Sequence, residues 1–304
     1  MCQLIVGLSG VRMSDKKRCL VTGHKGYIGS KLYNKLQNMG HEVLGIDLVD
    51  GDDLCMLNSN DHAKYFNFQP EYIFHLACWP RVGFSIENPV GTMKNNVMAG
   101  TVLLDYAKKV GAKRVIYSSS SSILGNGQGP ESPYALQKMV TEVECKLYAS
   151  LYDIDTVSLR YFNVYSEDQQ ADGPYATAIC NWMKYIKEDK TPFITGDGEQ
   201  RRDMLHVDDA ISANIFAMER GENFNGGVYD VGTGNNISLN EVKHIVNGFF
   251  PDVSFEYRDD RPNEVRETKA LIYPLKQLGW QTNITIESGI SSCFENLKQE
   301  LENV

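Results

Sequence analysis

Residues 18–29 read RCLVTGHKGYIG, and this stretch decides the fold. Its opening residues are apolar and lead directly into Gly23, which is typical of a short buried strand. From Tyr27 to Met39 the apolar residues recur at helical spacing, and Gly40 follows as a C-terminal cap. The stretch therefore predicts a strand, a tight turn and a helix in direct succession.

The three glycines of the turn each suit a dinucleotide phosphate. Gly23 permits the tight turn, Gly26 lets a pyrophosphate approach the backbone, and Gly29 lets the helix pack closely on the sheet. The start of the helix offers free N–H groups and a positive dipole end to phosphate. Asp47 follows the next predicted strand, Glu42 to Ile46, where a carboxylate accepts hydrogen bonds from an adenosine ribose. The alternative, a turn that merely connects strand and helix, does not explain Asp47.

Apolar strands and helices alternate along much of the remaining chain. Further strands are predicted at 72–76, 114–117 and 156–161, with helices near 90–110 and 134–152. Such alternation implies a parallel sheet that is covered on both faces. We therefore predict an α/β protein with a Rossmann-type doubly wound parallel sheet, and the motifs of the chain imply a smaller C-terminal α/β lobe that binds substrate.

The motifs of the chain also predict the domains. Residues 14–165 are assigned to the dinucleotide-binding domain, and residues 166–304 to the substrate-binding lobe. Segments near 204–231 are expected to return to the first domain. Residues 1–13 are expected to be a disordered extension rather than a signal peptide, because no basic region precedes their apolar stretch.

Composition excludes several classes of function. The net charge of -9 argues against a nucleic-acid binder, since phosphate backbones need a basic surface. No apolar run reaches the roughly 18 residues of a membrane span, so we expect no membrane association. The six histidines and seven cysteines lack metal-ligand or Cys-x-x-Cys spacing, so we expect no metal and reduced thiols. Reduced thiols indicate a cytoplasmic protein.

Tyr134 and Lys138, in the run SPYALQK at 132–138, form a candidate proton-transfer pair. Residues four apart lie on one face of a helix, and a nearby ammonium favours the phenolate form of tyrosine. The spacing alone is weak, because it arises by chance on many helices. The serine run from Ser118 to Ser122, directly after a predicted strand, places hydroxyl groups just upstream.

Eight motifs in order resemble the extended short-chain dehydrogenase/reductase family, in its branch of nucleotide-sugar epimerases and dehydratases that includes UDP-galactose 4-epimerase. The resemblance covers the chain from about residue 17 to the C-terminus. The motifs are TGHKGYIG at 22–29, HLA at 75–77, NNVMAGT at 95–101, YSSSSSILG at 117–125, SPYALQK at 132–138, LRYFNVY at 159–165, GDGEQRRDMLHVDD at 196–209 and DDRPNEVRETKA at 259–270.

The resemblance implies a role for each matched residue. Ser120 would hydrogen-bond the reacting sugar oxygen, Tyr134 would remove its proton, and Lys138 would hold the nicotinamide ribose. The implied cofactor-binding residues are Gly23, Gly26, Tyr27, Ile28, Gly29, Asp47, Leu76, Ala77, Asn96, Ser118, Ser119, Tyr134, Lys138 and Tyr161. The implied substrate-binding residues are Asn163, Arg202 and Arg261. For the two arginines a solvated surface position is the alternative, although arginine suits bidentate binding of a diphosphate.

Two departures from the family concern the cofactor. The family holds adenine with an aspartate and an apolar residue after the second strand, whereas the matching positions here are Cys55 and Met56. Asp53, followed by a leucine, is an alternative in a shifted loop. Lys25 suits the 2′-phosphate of NADP, whereas Asp47 would repel it. Asp47 favours NAD, with NADP as the alternative.

Two departures concern the substrate. The connection GNGQGPES at 125–132 is shorter than in most relatives, and Leu124 stands where a tyrosine is common. The family's dehydratases carry an Asp-Glu pair beside the catalytic hydroxyl, where this chain has Ser121 and Ser122. Serines cannot supply the acid and base for loss of water, so dehydration is disfavoured.

These residues predict an NAD-dependent epimerase that acts on a nucleotide diphosphate sugar through a transient keto intermediate, at C4 by resemblance. An NADPH-dependent reductase of a keto nucleotide sugar, similar to GDP-fucose synthase, is the first alternative. A non-catalytic dinucleotide-binding scaffold is the second. The resemblance also implies a homodimer formed through the helices at about 92–110 and 134–152.

Overall fold

The structure is a computed structural model that describes residues 16–58, 62–80, 82–169, 177–260 and 265–303. The predicted extension at 1–13 and Arg261 lie outside these residues. The strands are β1 Arg18–Thr22, β2 Glu42–Ile46, β3 Tyr72–His75, β4 Arg114–Ser120, β5 Asp155–Tyr161, β6 Val164–Tyr165, β7 Phe193–Thr195, β8 Arg201–Arg202, β9 Leu205–His206, β10 Gly227–Val231, β11 Ile237–Ser238 and β12 Glu256–Arg258. The helices are α1 Tyr27–Asn38, α2 Ala63–Phe68, α3 Val82–Glu87, α4 Pro89–Met93, α5 Ala99–Val110, α6 Pro133–Leu151, α7 Ala178–Lys187, α8 Val207–Glu219, α9 Leu239–Phe249, α10 Tyr273–Gln277 and α11 Ile286–Glu302.

Six strands form the central sheet in the order β10-β5-β4-β3-β1-β2. Every neighbouring pair is parallel, as predicted from the alternation of strands and helices. Separate apolar clusters cover the two faces: one includes residues of α1 and α8, and the other includes residues of α5. The Rossmann-type doubly wound α/β fold is therefore confirmed.

The first strand and helix form as their sequence predicts. The residues of β1 after Arg18 are all buried, and α1 buries Leu32 and Leu36. Gly40 has φ 86°, and its N–H donates to the carbonyl of Gln37 at 2.9 Å. This left-handed residue ends the helix, so the predicted glycine cap is confirmed.

Two elements differ from their predicted extent. β4 continues to Ser120, so three serines of the run are strand residues that pair with 159–161 of β5. The predicted helix near 90–110 contains a π-helical turn at Lys94–Met98, between α4 and α5. Neither feature was predicted, because serine is a weak strand former and the spacing of apolar residues alone does not distinguish a π-helical turn from an α-helical one.

A third apolar cluster builds the smaller lobe from α7, α9, α11 and short strand pairs. Its buried residues include Trp182, Val246 and Phe294. Between parts of this lobe, α8 packs on α1 and β10 pairs with β5 in the central sheet. After residue 206 the chain thus returns to the central sheet. The limits of the two domains remain a prediction.

Within the ranges that the structure describes, no helix combines the length and the apolar character needed to cross a bilayer.

Candidate active site at the carboxyl ends of the strands

A cavity of about 520 Å³ opens where the central strands end. Parallel doubly wound sheets bind ligands at this edge. The residues that line the cavity come from the glycine turn, the ends of β2 to β5 and the start of α6. They are Gly23, Lys25, Gly26, Tyr27, Ile28, Gly29, Ile46, Asp47, Leu48, Val49, Asp52, Asp53, Leu54, Leu76, Ala77, Cys78, Trp79, Pro80, Asn95, Ala99, Ser118, Ser119, Tyr134, Lys138, Tyr161, Val164 and Gln169.

The glycine turn leaves no room for side chains. A Cβ on Gly29 would lie 2.0 Å from the carbonyl oxygen of Gly23, and one on Gly23 would lie 2.8 Å from the backbone nitrogen of Ala77. Gly23 also has φ 72°, in the left-handed region that favours glycine. The bare backbone and the N-terminus of α1 therefore fit a dinucleotide pyrophosphate.

Asp47 ties the turn to the loop after β2. Its carboxylate accepts hydrogen bonds from the N–H groups of Lys25 at 3.0 Å and Val49 at 3.1 Å. Further along this loop, Asp53 and Leu54 line the cavity. Cys55 and Met56 are not among the lining residues in the described chain. The position of Asp53 and Leu54 in the cavity wall supports the alternative that these two residues, in a shifted loop, hold the adenine.

The cavity wall beside the loop after β2 contains Asp47, Asp52 and Asp53. Lys64 pairs with Asp52, Lys94 lies 3.8 Å from Asp53, and Lys25 lies 3.8 Å from Asp50, so this region holds four carboxylates and three ammonium groups. Each carboxylate raises the electrostatic cost of bringing a 2′-phosphate into this part of the cavity. The charge pattern therefore fits NAD better than NADP.

Tyr134 lies in the first turn of α6 because the preceding sequence starts the helix there. Ser132 is the N-cap and accepts a hydrogen bond from the N–H of Ala135 at 3.2 Å, with Pro133 at the first helical position. The hydroxyl of Ser85 accepts the N–H of Tyr134 at 3.0 Å. The phenol ring is thereby buried at the cavity wall.

Lys138 lies one turn further along α6, and its ammonium reaches the end of β4. Nζ donates to the carbonyl of Ser118 at 2.6 Å and lies 6.0 Å from the ring centroid of Tyr134. The residue is 3% exposed. Strand, lysine and tyrosine thus form one buried unit that faces the cavity.

Glu142 occupies the next turn of the same helix face and was not among the predicted site residues. Its buried carboxylate accepts a hydrogen bond from the hydroxyl of Ser119 at 2.5 Å. It also accepts hydrogen bonds from Nε and Nη2 of Arg160, each at 2.8 Å. The spacing of 134, 138 and 142 on one helix face was the available signal. Glu142 fixes the end of β4, and therefore the carbonyl that holds Lys138.

His75 lies behind the lysine and is buried. Nδ1 lies 2.9 Å from the hydroxyl of Thr22. Burial, with a contribution from the charge of Lys138, lowers the pKa of His75 to about 3. The residue is therefore a neutral structural side chain.

Other predicted site residues lie outside the cavity wall. Ser120 accepts the N–H of Ser122 at 3.2 Å, and Asn96 accepts the N–H of Trp79 at 2.7 Å. Asn163 donates to the carbonyl of Asp203 at 2.7 Å. Arg202 donates to the carbonyl of Arg201 at 3.0 Å. The roles predicted for these four residues and for Arg261 remain predictions.

Comparison with known proteins assigns the family. The model of the NAD-dependent epimerase/dehydratase family matches residues 19–232. The chain belongs to this family. Among curated proteins, it is similar to a putative UDP-glucose 4-epimerase of Methanocaldococcus jannaschii, with 30% identity over 92% of this chain and 98% of that protein. The recognised resemblance is thereby confirmed.

Solved structures of epimerases share the fold. A Thermotoga maritima UDP-glucose 4-epimerase with UDP-glucose has a TM-score of 0.83 and 30% identity, over 93% of this chain and 99% of that chain. A Bacillus cereus UDP-glucuronic acid 4-epimerase in complex with UDP-glucuronic acid and NAD has a TM-score of 0.81 and 28% identity, over 93% and 99%. The similarity extends over both lobes of the epimerase fold.

Proposed function

We propose that this protein is an NAD-dependent epimerase of a nucleotide diphosphate sugar that acts through a transient keto intermediate at C4. The observation that carries the proposal is one cavity lined by the glycine turn, Tyr134 and Lys138. A dinucleotide along the turn would bring its nicotinamide end toward this acid–base pair. Family membership and the similar 4-epimerases support the reaction type.

NAD, when bound, supplies a site that accepts a hydride from the sugar carbon and returns it. The protein's own residues hold the cofactor and move the proton. The turn at Gly23 to Gly29 and the N-terminus of α1 would bind the pyrophosphate, and Asp47 and Asp53 would accept hydrogen bonds from the adenosine end. Leu76, Ala77 and Tyr161 line the same cavity beside the pair.

Tyr134 is the proposed proton acceptor and donor. As phenolate it takes the proton of the sugar hydroxyl when the carbon is oxidised, and it returns the proton after the hydride reaches the other face. The ammonium of Lys138, fixed on the carbonyl of Ser118, favours the phenolate by its charge. Ser120 would donate to the same oxygen, after its hydroxyl turns from the N–H of Ser122.

The reductase alternative has less support, because Lys25 already lies near Asp50 in an acidic stretch. An assay of cofactor released from the purified protein separates the two functions. Retained NAD and interconversion of C4 epimers in a panel of UDP-sugars, followed by NMR, support the epimerase. A protein that instead consumes NADPH with a keto sugar would be a reductase.

The variant Tyr134→Phe tests the assigned base. It keeps the ring and removes the hydroxyl, so turnover should fall by about 10²–10⁴-fold, the usual contribution of general acid–base catalysis. NAD binding and thermal stability should stay close to those of the wild type. An unchanged turnover rate would show that another group transfers the proton.

The same protein is proposed to be a homodimer. α6 exposes Leu136, Val143, Leu147 and Leu151 at helical spacing on one face. An exposed apolar stripe of this kind is typical of an interaction surface, and α5 packs beside it. Two copies related by a twofold axis would bury the stripes against each other.

A cytoplasmic location completes the proposal. In the described chain the cysteines Cys19, Cys55, Cys78, Cys145, Cys180 and Cys293 are free thiols. Burial raises the pKa values of Cys19, Cys145 and Cys293 to about 12, so these thiols stay protonated and unreactive. Reduced thiols are the usual state in a reducing compartment.

A further inference from the structure

A chain of polar contacts connects α1 with the segment that follows β6. The hydroxyl of Tyr27 lies 2.5 Å from the hydroxyl of Ser166, which donates to a carboxylate oxygen of Asp168 at 2.7 Å. The other carboxylate oxygen of Asp168 forms an ion pair with Lys31, one turn beyond Tyr27 on α1. Two residues of the helix thus hold two residues of a segment about 140 positions away in the sequence.

The direction of the hydrogen bonds follows from the number of protons. Because Ser166 donates its only hydroxyl proton to Asp168, the hydroxyl of Tyr27 must donate to Ser166. Burial raises the pKa of Tyr27 well above its usual range, so this proton stays in place. For Asp168, burial acts to raise the pKa, but Lys31 and Ser166 outweigh it and keep the pKa below its usual value. Consecutive bonds of this kind polarise and strengthen one another.

The contacts differ in their exposure to solvent. Ser166 is 2% exposed, so its bonds are shielded from water. The ion pair is more accessible, since the side chain of Asp168 is 60% exposed. Exposed ion pairs contribute little on their own. The buried hydroxyl pair is therefore the stronger part of the connection.

The connection lies beside the proposed cofactor. Tyr27 directly follows Gly26 of the glycine turn and lines the cavity. Val164 and Gln169, on either side of Ser166 and Asp168, line the same cavity. A dinucleotide held on the turn is thus enclosed between α1 and the segment 164–169. Separation of α1 from the segment 164–169 would widen the path by which the dinucleotide leaves the cavity.

We propose that Tyr27, Lys31, Ser166 and Asp168 form a latch that closes the cavity over the dinucleotide and slows its release. The latch rests on the proposed function, since it requires NAD in this cavity. It would keep the cofactor bound between turnovers, as an epimerase that consumes no external hydride donor requires. Ser166 and Asp168 are positioning residues in this proposal, because neither lines the cavity within the described chain.

The test measures the rate of NAD release from Ser166→Ala, Asp168→Asn and the double variant. Each protein is loaded with NAD and mixed with alcohol dehydrogenase and ethanol, which convert released NAD to fluorescent NADH. The double variant should release NAD about tenfold faster than the wild type, as expected for a loss near 1.4 kcal/mol. Each single variant should release NAD at a rate between those of the wild type and the double variant, and Ser166→Ala should release it faster than Asp168→Asn.

Asp197→Asn is the matched control, because Asp197 forms an exposed ion pair with Arg266 outside the residues that line the cavity. Its release rate should equal that of the wild type. At saturating NAD the turnover rate of every variant should stay within about twofold, since the proton-transfer pair is intact. Thermal unfolding of each variant identifies any general loss of stability.

Equal release rates from the double variant and a wild type that binds NAD would overturn the latch and leave the proposed function standing. Acceleration by the control as large as that in the double variant would also overturn it. A wild-type protein that binds no NAD would overturn both the latch and the proposed function.

Discussion

Lys138 is the residue that joins the two halves of the proposed catalytic unit. Its ammonium is buried and donates to the carbonyl of Ser118 at the end of β4, while its helix carries Tyr134. The position of the charge relative to the phenol is therefore fixed by backbone geometry rather than by a flexible side chain. Preorganisation of this kind makes a charge effective in catalysis.

The neutral state of His75 makes a testable contribution to stability. Its pKa is about 3 in the folded protein, against 6.5 for an ordinary histidine. Between these values the unfolded chain binds more protons than the folded one, so the contribution is complete above pH 6.5 and is lost as the pH falls toward 3.

We therefore expect wild-type protein to lose up to about 1.4 kcal/mol of unfolding free energy per pH unit more than His75→Leu between pH 6 and 4. Urea denaturation at a series of pH values measures both slopes. The variant also loses the hydrogen bond between His75 and Thr22 at every pH. This loss shifts its plot of unfolding free energy against pH without changing the slope. Parallel curves for the two proteins would show that His75 is protonated in the folded state.

Single residues differ in how far the sequence could predict their positions. Gly23, Gly26 and Gly29 were predictable, because their roles depend on a turn within a few residues of each other. The contacts of Asn96 and Asn163 were not, since their partners are the backbones of Trp79 and Asp203, far along the chain. Side-chain partners of this kind depend on tertiary structure, for which spacing gives no signal.

Among the elements, α6 carries the most chemistry, and its third relevant residue is a buried charge. Glu142 is paired with Arg160 through two bonds of 2.8 Å, and Asp230 lies 3.8 Å from the same guanidinium. Removal of Glu142 would leave Arg160 with the longer contact to Asp230. Only the spacing of 134, 138 and 142 was visible in the sequence, because the pairing of Glu142 with Arg160 on β5 depends on the tertiary structure.

Glu142→Gln should lower the free energy of unfolding by about 1–3 kcal/mol, the usual cost of losing hydrogen bonds to a buried charged group, because Arg160 is partly exposed and still lies near Asp230. Chemical denaturation measures the change. Glu256→Gln, which breaks an exposed pair with Arg258, is the control and should leave stability nearly unchanged. Equal stability of the two variants would mean that the buried carboxylate does not hold the end of β4.

β4 also marks the limit of element prediction. Its apolar half, Arg114 to Tyr117, was predictable, but Ser118 to Ser120 continue the strand because each pairs with a residue of β5. Strand pairing is a long-range interaction, and it overrides the preference of serine for turns. The extension matters for function, because it carries the carbonyl that binds Lys138.

At the scale of the whole molecule, the apolar stripe on α6 predicts the oligomeric state. Val143 and Leu147 are 54% and 50% exposed at the centre of the stripe. The double variant Val143→Asp/Leu147→Asp should convert a wild-type dimer to a monomer, because burying two unpaired charges at the interface is unfavourable. Light scattering coupled to size-exclusion chromatography gives the mass.

Tyr273→Asp is the control for that experiment, since this tyrosine is 64% exposed on a different helix, α10. The control should remain a dimer. A monomeric wild type, or a dimer that persists in the α6 variant, would contradict the proposed interface. The sequence implied the two helices by resemblance alone, and the exposed stripe became visible once their buried faces were known.

Isotope tracing measures whether one sugar carbon is oxidised and reduced again within a single bound complex. A nucleotide sugar with deuterium at C4 is incubated with the protein in ordinary water, and the epimer is examined by NMR. We expect the epimer to keep the deuterium at C4, because the hydride returns to the carbon that it left. Loss of the deuterium to solvent would rule out the proposed keto intermediate with returned hydride.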